Sequence, residues 1–419
     1  MKLTIDVENT VTKRDGKMYL DPYEPTNKLV MVGIRDDNDN TYIYDMDNGS
    51  SNIQEMLDKA TVHIAYDLMW LWECGFKYDG VIFDTMLAEY VLSRGNPQKY
   101  SLSLEACAIR HELNTKKQDT LKEYFAKGMG VDEIPKNELE EYLTADLKAT
   151  QELCASQYKQ LLNSSLMDTV ILTNKVAMTL ARTHKNGFKV NEDVLESVRE
   201  EFEAEKIDIE KRLKKQVQDL MGDTPINLNS PEQMSWVIYS RKPKDKALWA
   251  NNFSPYMDKE EYKDLVKEHS EVVFKTDAVK CSDCNGEGYY RKTKKDGTPF
   301  AKPSRCSTCN TQGYLFIPNK KVAGLRFSAP TAKWVSANGF TINKLYLDTL
   351  RNVARRNDMT DAEKFLSDLQ RLSALDTYLS SFVDGIKAHV KQDGMLHVRL
   401  LQHRTATGRF SGADPNMQN

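Results

Sequence analysis

Residues 62–75 read VHIAYDLMWLWECG. The first part, Val62–Tyr66, is rich in β-branched and aromatic residues and has the length of a strand; from Leu68 onward Leu68, Leu71 and Trp72 repeat at helical spacing. Asp67 stands where the strand hands over to the helix. A strand passing at once into a helix is the building unit of a sheet covered by helices, and the flanking sequence repeats it. Leu3–Val7 and Lys28–Ile34 are apolar runs of strand length, and Thr41–Tyr44 alternates with β-branched and aromatic residues. Residues 1–90 therefore read as mixed α/β.

Further along, the period changes to that of helices. Residues 137–163 predict one long helix, with Leu139, Tyr142, Leu143, Leu147 and Leu153 along it. Residues 166–221 read as all-helical, Asn191 capping a helix that carries Leu195, Val198, Phe202, Ile209, Leu213, Val217 and Leu220. That seam is close to a heptad and predicts an antiparallel partner. Residues 361–390 supply one, with Phe365, Leu369, Leu372, Leu379, Ile386 and Val390 in a stripe and Thr360 with Glu363 as a capping box. Between the two helices lies a basic insert rich in Cys, Gly and Lys, about 275–326. Met395–Leu400 reads as a short strand before a polar, Gly-rich tail.

Composition narrows the function. The 419 residues are 40% apolar and 28% charged, enough to build cores, which excludes a disordered chain. The net charge of -3 excludes a uniformly basic nucleic-acid binder, but the charge is uneven: residues 1–160 carry -10 and residues 161–419 carry +7. No stretch approaches the roughly 18 apolar residues of a membrane span, and two acids near Met1 interrupt any signal peptide. A soluble, cytoplasmic protein is expected, in the host cytoplasm if viral, with no membrane partner. Seven cysteines are too few for a disulfide scaffold; Cys74, Cys107 and Cys154 read as small buried hydrophobes.

Asp6 and Glu8 share one face of the first strand, and Tyr142 and Asp146 share one face of the long helix. Singly, each reads equally well as a solvated acid or a half-buried aromatic. In order, however, Asp6-x-Glu8, then Tyr66-Asp67, then Tyr142-x-x-x-Asp146 resemble the blocks of the four-acidic-residue 3′–5′ exonuclease superfamily, in the subtype with a tyrosine in its third block. FDTMLAEYVL (83–92) and SLSLEACA (101–108) resemble the segments that follow. The resemblance covers about 160 residues and implies a ribonuclease H-like mixed sheet with helices. It implies that Asp6, Glu8, Asp67 and Asp146 hold two Mg²⁺ or Mn²⁺ ions and that Tyr142 orients the attacking water. Hard, oxygen-only ligands suit those ions, and two of them can activate water and stabilise a leaving 3′ oxygen. His63 takes the place of the family's usual Asn and is expected to touch the substrate strand.

Cys281-x2-Cys284 and Cys306-x2-Cys309 lie in two near-identical knuckles, CSDCNGEGY and CSTCNTQGY. Four thiolates at this spacing suit one closed, structural Zn²⁺. Residues 275–326 carry a net +7. Lys292, Lys294, Lys295, Lys302 and Arg305 lie between the knuckles, so the module reads as a DNA-backbone clamp, with Tyr289, Tyr290 or Tyr314 as stacking faces; a solvated basic loop is the plainer alternative.

The tail, QHRTATGRFSGADPNMQN (402–419), presents Arg404, Thr407, Arg409, Gln418 and Asn419. It closely resembles the segment that opens the palm of family A DNA polymerases, the DNA polymerase I type found in many phages. INLNSPEQM (226–234), HKNGFKVN (184–191) and LSALDTYLSSFVDGI (372–386) resemble that family's thumb. The resemblance implies an exonuclease domain over 1–165, a mostly helical thumb over 166–274 and 327–392, the zinc-knuckle insertion over 275–326, and the start of a palm over 393–419. It implies proofreading at single-stranded 3′ ends and a grip on primer–template duplex, with Arg409, Gln418 and Asn419 on the duplex. The family's palm carboxylates and fingers have no counterpart, so polymerisation is not expected from this chain alone. A separate chain carrying palm and fingers is the expected partner; split gene, exon or extein, and truncation all fit. A free-standing exonuclease and a non-catalytic DNA-binding subunit are the rival readings. Hydrolysis of DNA separates the second from the others.

Overall fold

The computed structural model describes residues 1–14, 16–49, 52–64, 68–94, 100–113, 121–291, 298 and 301–418. Its contacts divide the chain into two compact units, one formed by Met1–Glu196 with Ser380–Asn419 and the other by Ser197–Leu379.

The first unit is built on a five-stranded mixed sheet. Its strands are β1 (Lys2–Asn9), β2 (Leu29–Arg35), β3 (Thr41–Asp45), β4 (Val62–Ile64) and β5 (Val81–Ile82), in the order β3-β2-β1-β4-β5. β1 runs antiparallel to β2 and parallel to β4. β2 lies inside the sheet, and Leu29–Ile34 are all buried, which explains its unbroken apolar reading. β1 alternates instead. Leu3, Ile5 and Val7 join a core with Ile53 and Leu57 of α1 (Ile53–Lys59) and Leu68 and Leu71 of α2 (Leu68–Glu73). After α3 (Thr85–Leu92), α4 (Lys136–Asn163) covers the other face, its Leu139, Leu143 and Leu147 packing on Met31. Positions four apart line one side of a helix, so this leucine stripe aims α4 at the sheet. α5 (Met167–Asn186) adds Met178 to the first core.

The second unit is mostly helical. α6 (Glu192–Met221) lays Ile209, Leu213 and Val217 against Phe365, Leu369, Leu372 and Leu375 of α10 (Thr360–Thr377). Ion pairs Lys206–Asp376, Glu205–Arg371 and Arg212–Asp368 run in opposite senses along the two helices, so the pair is antiparallel. Between them come α7 (Pro231–Tyr239), α8 (Lys259–His269) and α9 (Lys344–Arg356). Trp249 is fully buried in this core, its Nε1 donating to the Gly339 carbonyl at 3.0 Å. A two-stranded ribbon, β6 (Phe274–Lys280) with β7 (Tyr314–Val322), carries the cysteine knuckles.

Three local expectations change. Thr360 and Glu363 do not form a capping box: Met359 is the N-cap, without a side-chain bond, and Glu363 pairs with Arg351 and Arg355 of α9. Two guanidiniums outbid a backbone N–H for one carboxylate. The stripe over 361–390 is also not one α-helix, because Tyr378–Val383 widens into a π-turn. Of the three scattered cysteines only Cys107 is buried; Cys154 is half-buried and Cys74 exposed. No helix among the described residues is long and apolar enough to cross a membrane.

Candidate functional site

β1 and α4 position the acidic residues. In the antiparallel ladder Asp6 stands opposite Gly33 and Glu8 opposite Met31. Directly opposed residues share a face of the sheet, and Gly33 and Met31 face α4. Asp6 and Glu8 therefore emerge on the face that α4 covers, both half-buried. The ladder shifts register between Glu8 and Asn9, an irregularity of the kind that re-aims side chains at strand ends. The Val7 N–H donates to Asp6 Oδ1 at 3.0 Å. On α4, Asp146 is 5% exposed between Leu143 and Leu147, and Tyr142 packs one turn earlier against the same core. Three of the four acids and the tyrosine thus belong to one sheet–helix layer.

Asp67 and Tyr66 lie outside the described residues. Among the described residues Asp6, Glu8 and Asp146 do not form a converged group of metal-ligand atoms. His63 is fully buried on β4, its ring stacked 3.6 Å from that of Tyr78, with neither nitrogen hydrogen-bonded. Burial holds its pKa down at about 3. A side chain with no exposed surface presents nothing to a strand, so the expected DNA contact is not available to it in this conformation. Gly33 escaped the sequence reading. A Cβ there would lie 2.6 Å from Leu147 Cδ1 and 2.9 Å from Leu143 Cγ, so glycine sets how closely α4 approaches the sheet. A lone glycine inside a strand is the signal that marks such an approach.

The cysteines do converge. Cys281, Cys284, Cys306 and Cys309 are buried, with their sulfurs within 4.8 Å of one another. The Cys281–Cys306 and Cys284–Cys309 Sγ separations are 3.9 and 3.6 Å. A tetrahedron with Zn–S bonds of about 2.3 Å has edges of about 3.8 Å, so the thiols fit structural zinc. The two knuckles are interlocked. Cys281 N–H donates to Gly313 O, and Cys306 N–H to Gly288 O. Gly288 and Gly313 donate to the sulfurs of Cys284 and Cys309 at 3.2 and 3.3 Å. Both glycines have positive φ, and a Cβ on either would strike a backbone carbonyl of the other knuckle, Thr311 O or Gly286 O. Tyr290 packs with Leu315 against the cysteines, while Tyr289, Tyr314, Lys302 and Arg305 are exposed. Tyr290 is half-buried, with part of its ring committed to packing on the cysteines, and Tyr289 and Tyr314 are the more exposed rings. Lys292, Lys294 and Lys295 lie outside the described residues.

Near the C-terminus, β8 (Arg399–Leu401) pairs with β9 (Ser411–Ala413) as a hairpin. Tyr90 Oη donates to the Thr405 carbonyl, and Thr405 Oγ1 to the Arg409 carbonyl. Arg404, Thr407, Arg409 and Gln418 are exposed, and Asn419 lies outside the described residues.

No protein-family model matches the chain. Over 171 residues it is 25% identical to DNA polymerase I of Bacillus subtilis (strain 168), a match covering 41% of this chain and 18% of that protein. Among solved structures it is similar to the polymerase domain of Pol1 from M. smegmatis in complex with DNA primer-template and dNTP. There the TM-score is 0.56 and the identity 17%, over 100% of this chain and 51% of that one. The chain thus spans well under two thirds of either relative. It has a DNA polymerase I-like fold with a mixed α/β sheet and a helical bundle; its four clustered cysteines form a separate group able to hold a metal ion.

Proposed function

We propose that the chain removes nucleotides from DNA 3′ ends as the proofreading part of a family A DNA polymerase, and that its second unit grips DNA as a thumb. One observation carries the reading: Asp6 and Glu8 lie on the sheet face covered by the helix that bears Tyr142 and Asp146. Carboxylates alone make a hard donor set, which suits Mg²⁺ or Mn²⁺; Asp6, Glu8, Asp67 and Asp146 would hold two such ions. When bound, these supply an activated water and charge stabilisation of the departing 3′ oxygen. Tyr142, one turn before Asp146, would orient that water. The leucine stripe of α4 fixes both side chains relative to β1. Arg404, Thr407, Arg409, Gln418 and Asn419 would contact the duplex, and the cations between the knuckles the DNA backbone. The zinc module supplies rigidity and no open coordination position.

A non-catalytic, DNA-gripping role is the rival reading, for which the exposed cations Lys302, Arg305, Arg404 and Arg409 suffice. The same experiment decides between the two. The chain is incubated with 3′-labelled single-stranded DNA in Mg²⁺ or EDTA. Mg²⁺-dependent mononucleotide release that disappears in Asp6→Asn supports the nuclease. Salt-sensitive binding without release in Mg²⁺ or Mn²⁺ supports the gripping role.

A further inference from the structure

The second unit contains a cavity of about 400 Å³ that no part of the nuclease reading uses. That is within the range of small-ligand pockets, about 300–1,000 Å³. Its floor is aromatic and buried, including Tyr262 and Phe327. Its rim carries four cations, Arg241, Lys263, Lys267 and Arg326, and no Asp or Glu lines it.

The cations are not all spoken for. Lys263 and Lys267 pair with Glu260 and Asp264 on their own helix, α8. Arg241 and Arg326 form no ion pair among the described residues. Arg241 is held by one donor to the buried Ser270 Oγ at 2.8 Å, and the rest of its fork stays unused. Arg326 is exposed; its backbone N–H is anchored on Ser240 Oγ at 3.0 Å, and its guanidinium spends only Nη2, on the Val322 carbonyl at 3.3 Å. Tyr262 is an independent observation. It is 2% exposed, and its hydroxyl has no hydrogen-bond partner. Buried hydroxyls are rarely left unmatched, and burial keeps this phenol protonated, hence a donor. Two guanidiniums without a carboxylate partner among the described residues, and a lone donor above aromatic walls, match a ligand with anionic oxygens on one side and a flat ring on the other.

We propose that this cavity binds the phosphate and base of a nucleotide, either free or within a single strand. The proposal does not rest on the nuclease reading, since loss of hydrolysis in Asp6→Asn would leave this binding untouched.

The test titrates the full, zinc-replete chain with ATP, with a 5′-phosphorylated dT tetranucleotide and with adenosine. The comparison chains are Arg241→Gln/Arg326→Gln and Tyr262→Phe, with fold checked by circular dichroism and zinc content. ATP or the tetranucleotide binds saturably, and adenosine at least about tenfold more weakly. The double arginine variant loses about tenfold or more, and Tyr262→Phe about fivefold. A response to ATP alone identifies a free nucleotide as the ligand, and a response to the tetranucleotide alone identifies a strand; either supports the site. In the wild-type chain the bound probe also slows phenylglyoxal labelling of Arg241 and Arg326, a readout independent of any variant's folding. Unchanged affinity in folded variants, or labelling indifferent to both probes, overturns the proposal.

Discussion

Replacing Gly33 with alanine tests the link between sheet packing and catalysis. The new methyl group would lie 2.6 Å from Leu147 Cδ1 and 2.9 Å from Leu143 Cγ, both on fully buried leucines. Carbon atoms in contact prefer about 3.5–4.0 Å, so α4 must retreat by about 1 Å or the leucines must leave their rotamers. Overpacking of this kind costs about 1–3 kcal/mol. At about 2–4 °C per kcal/mol for a unit of this size, the Tm should fall by about 2–12 °C. The larger effect is expected on rate. α4 carries Tyr142 and Asp146, and a displacement of about 1 Å at reacting groups costs about 100-fold. The assay is Mg²⁺-dependent release from 3′-labelled DNA at a temperature well below both melting points, so that stability does not enter. Leu147→Ala alone should destabilise by about 2–5 kcal/mol. Combined with Gly33→Ala it should restore part of the lost rate, because the two sites share one contact. If Gly33→Ala cleaves at the wild-type rate while melting earlier, the idea that sheet–helix distance sets the site's geometry is wrong. A double variant no faster than Gly33→Ala would refute the steric explanation.

Other outcomes follow from the same structure. Asp6→Asn and Asp146→Asn should each abolish nucleotide release with little change in Tm; residual wild-type rates in both would remove the assignment. Metal analysis should find one zinc per chain, lost in Cys306→Ser, with protease cleavage then appearing between Lys280 and Tyr314; a protected segment without metal would contradict a zinc-held module. His63 is held by burial at about 3 and His184 at about 4, against 6.5 for a free imidazole. Both folded values are depressed, so the fold holds neutral rings. Their contribution is complete above pH 6.5 and declines as pH falls toward the folded values, at up to about 1.4 kcal/mol per pH unit for each group. His63→Phe should flatten the fall of Tm between pH 6.5 and 4, and an unchanged slope would show that His63 is not the group responsible.

The sheet was legible because its pattern is local. Leu3–Val7 and Lys28–Ile34 both read as apolar runs of strand length, and they are the adjacent inner strands β1 and β2. The α6–α10 pairing was legible because a near-heptad seam can be satisfied only by another such seam. The knuckles were legible because two C-x2-C pairs are the spacing that brings four sulfurs to the corners of a tetrahedron, and the sulfurs do converge. What escaped depends on distant partners. Glu363 pairs with Arg351 and Arg355 rather than capping its own helix, a choice invisible without knowing that α9 packs beside α10. His63 looked like a surface contact because nothing local announces that Tyr78 will stack on it. Tyr290 and Tyr289 are adjacent in sequence, yet strand alternation packs one, half-buried, against the cysteine cluster and leaves the other exposed. The acids of the candidate site are recognisable as a pattern. Their shared face follows only once β2 is paired with β1, which puts Gly33 and Met31 opposite Asp6 and Glu8.

The first unit is discontinuous: the chain leaves it at Glu196 and returns at Ser380. During synthesis this imposes an order of events. At about 5–20 residues per second, the roughly 180 residues of the second unit take about 10–40 s to appear. Throughout that interval the buried acids Asp21 and Glu24 wait for the Lys391 ammonium that bridges them. The His184 carbonyl waits for His397, and Tyr90 for Thr405. The nascent first unit therefore shows a ribosome-bound surface of acidic and aromatic groups that the finished protein hides, and its last stitches are made only when synthesis has passed residue 405.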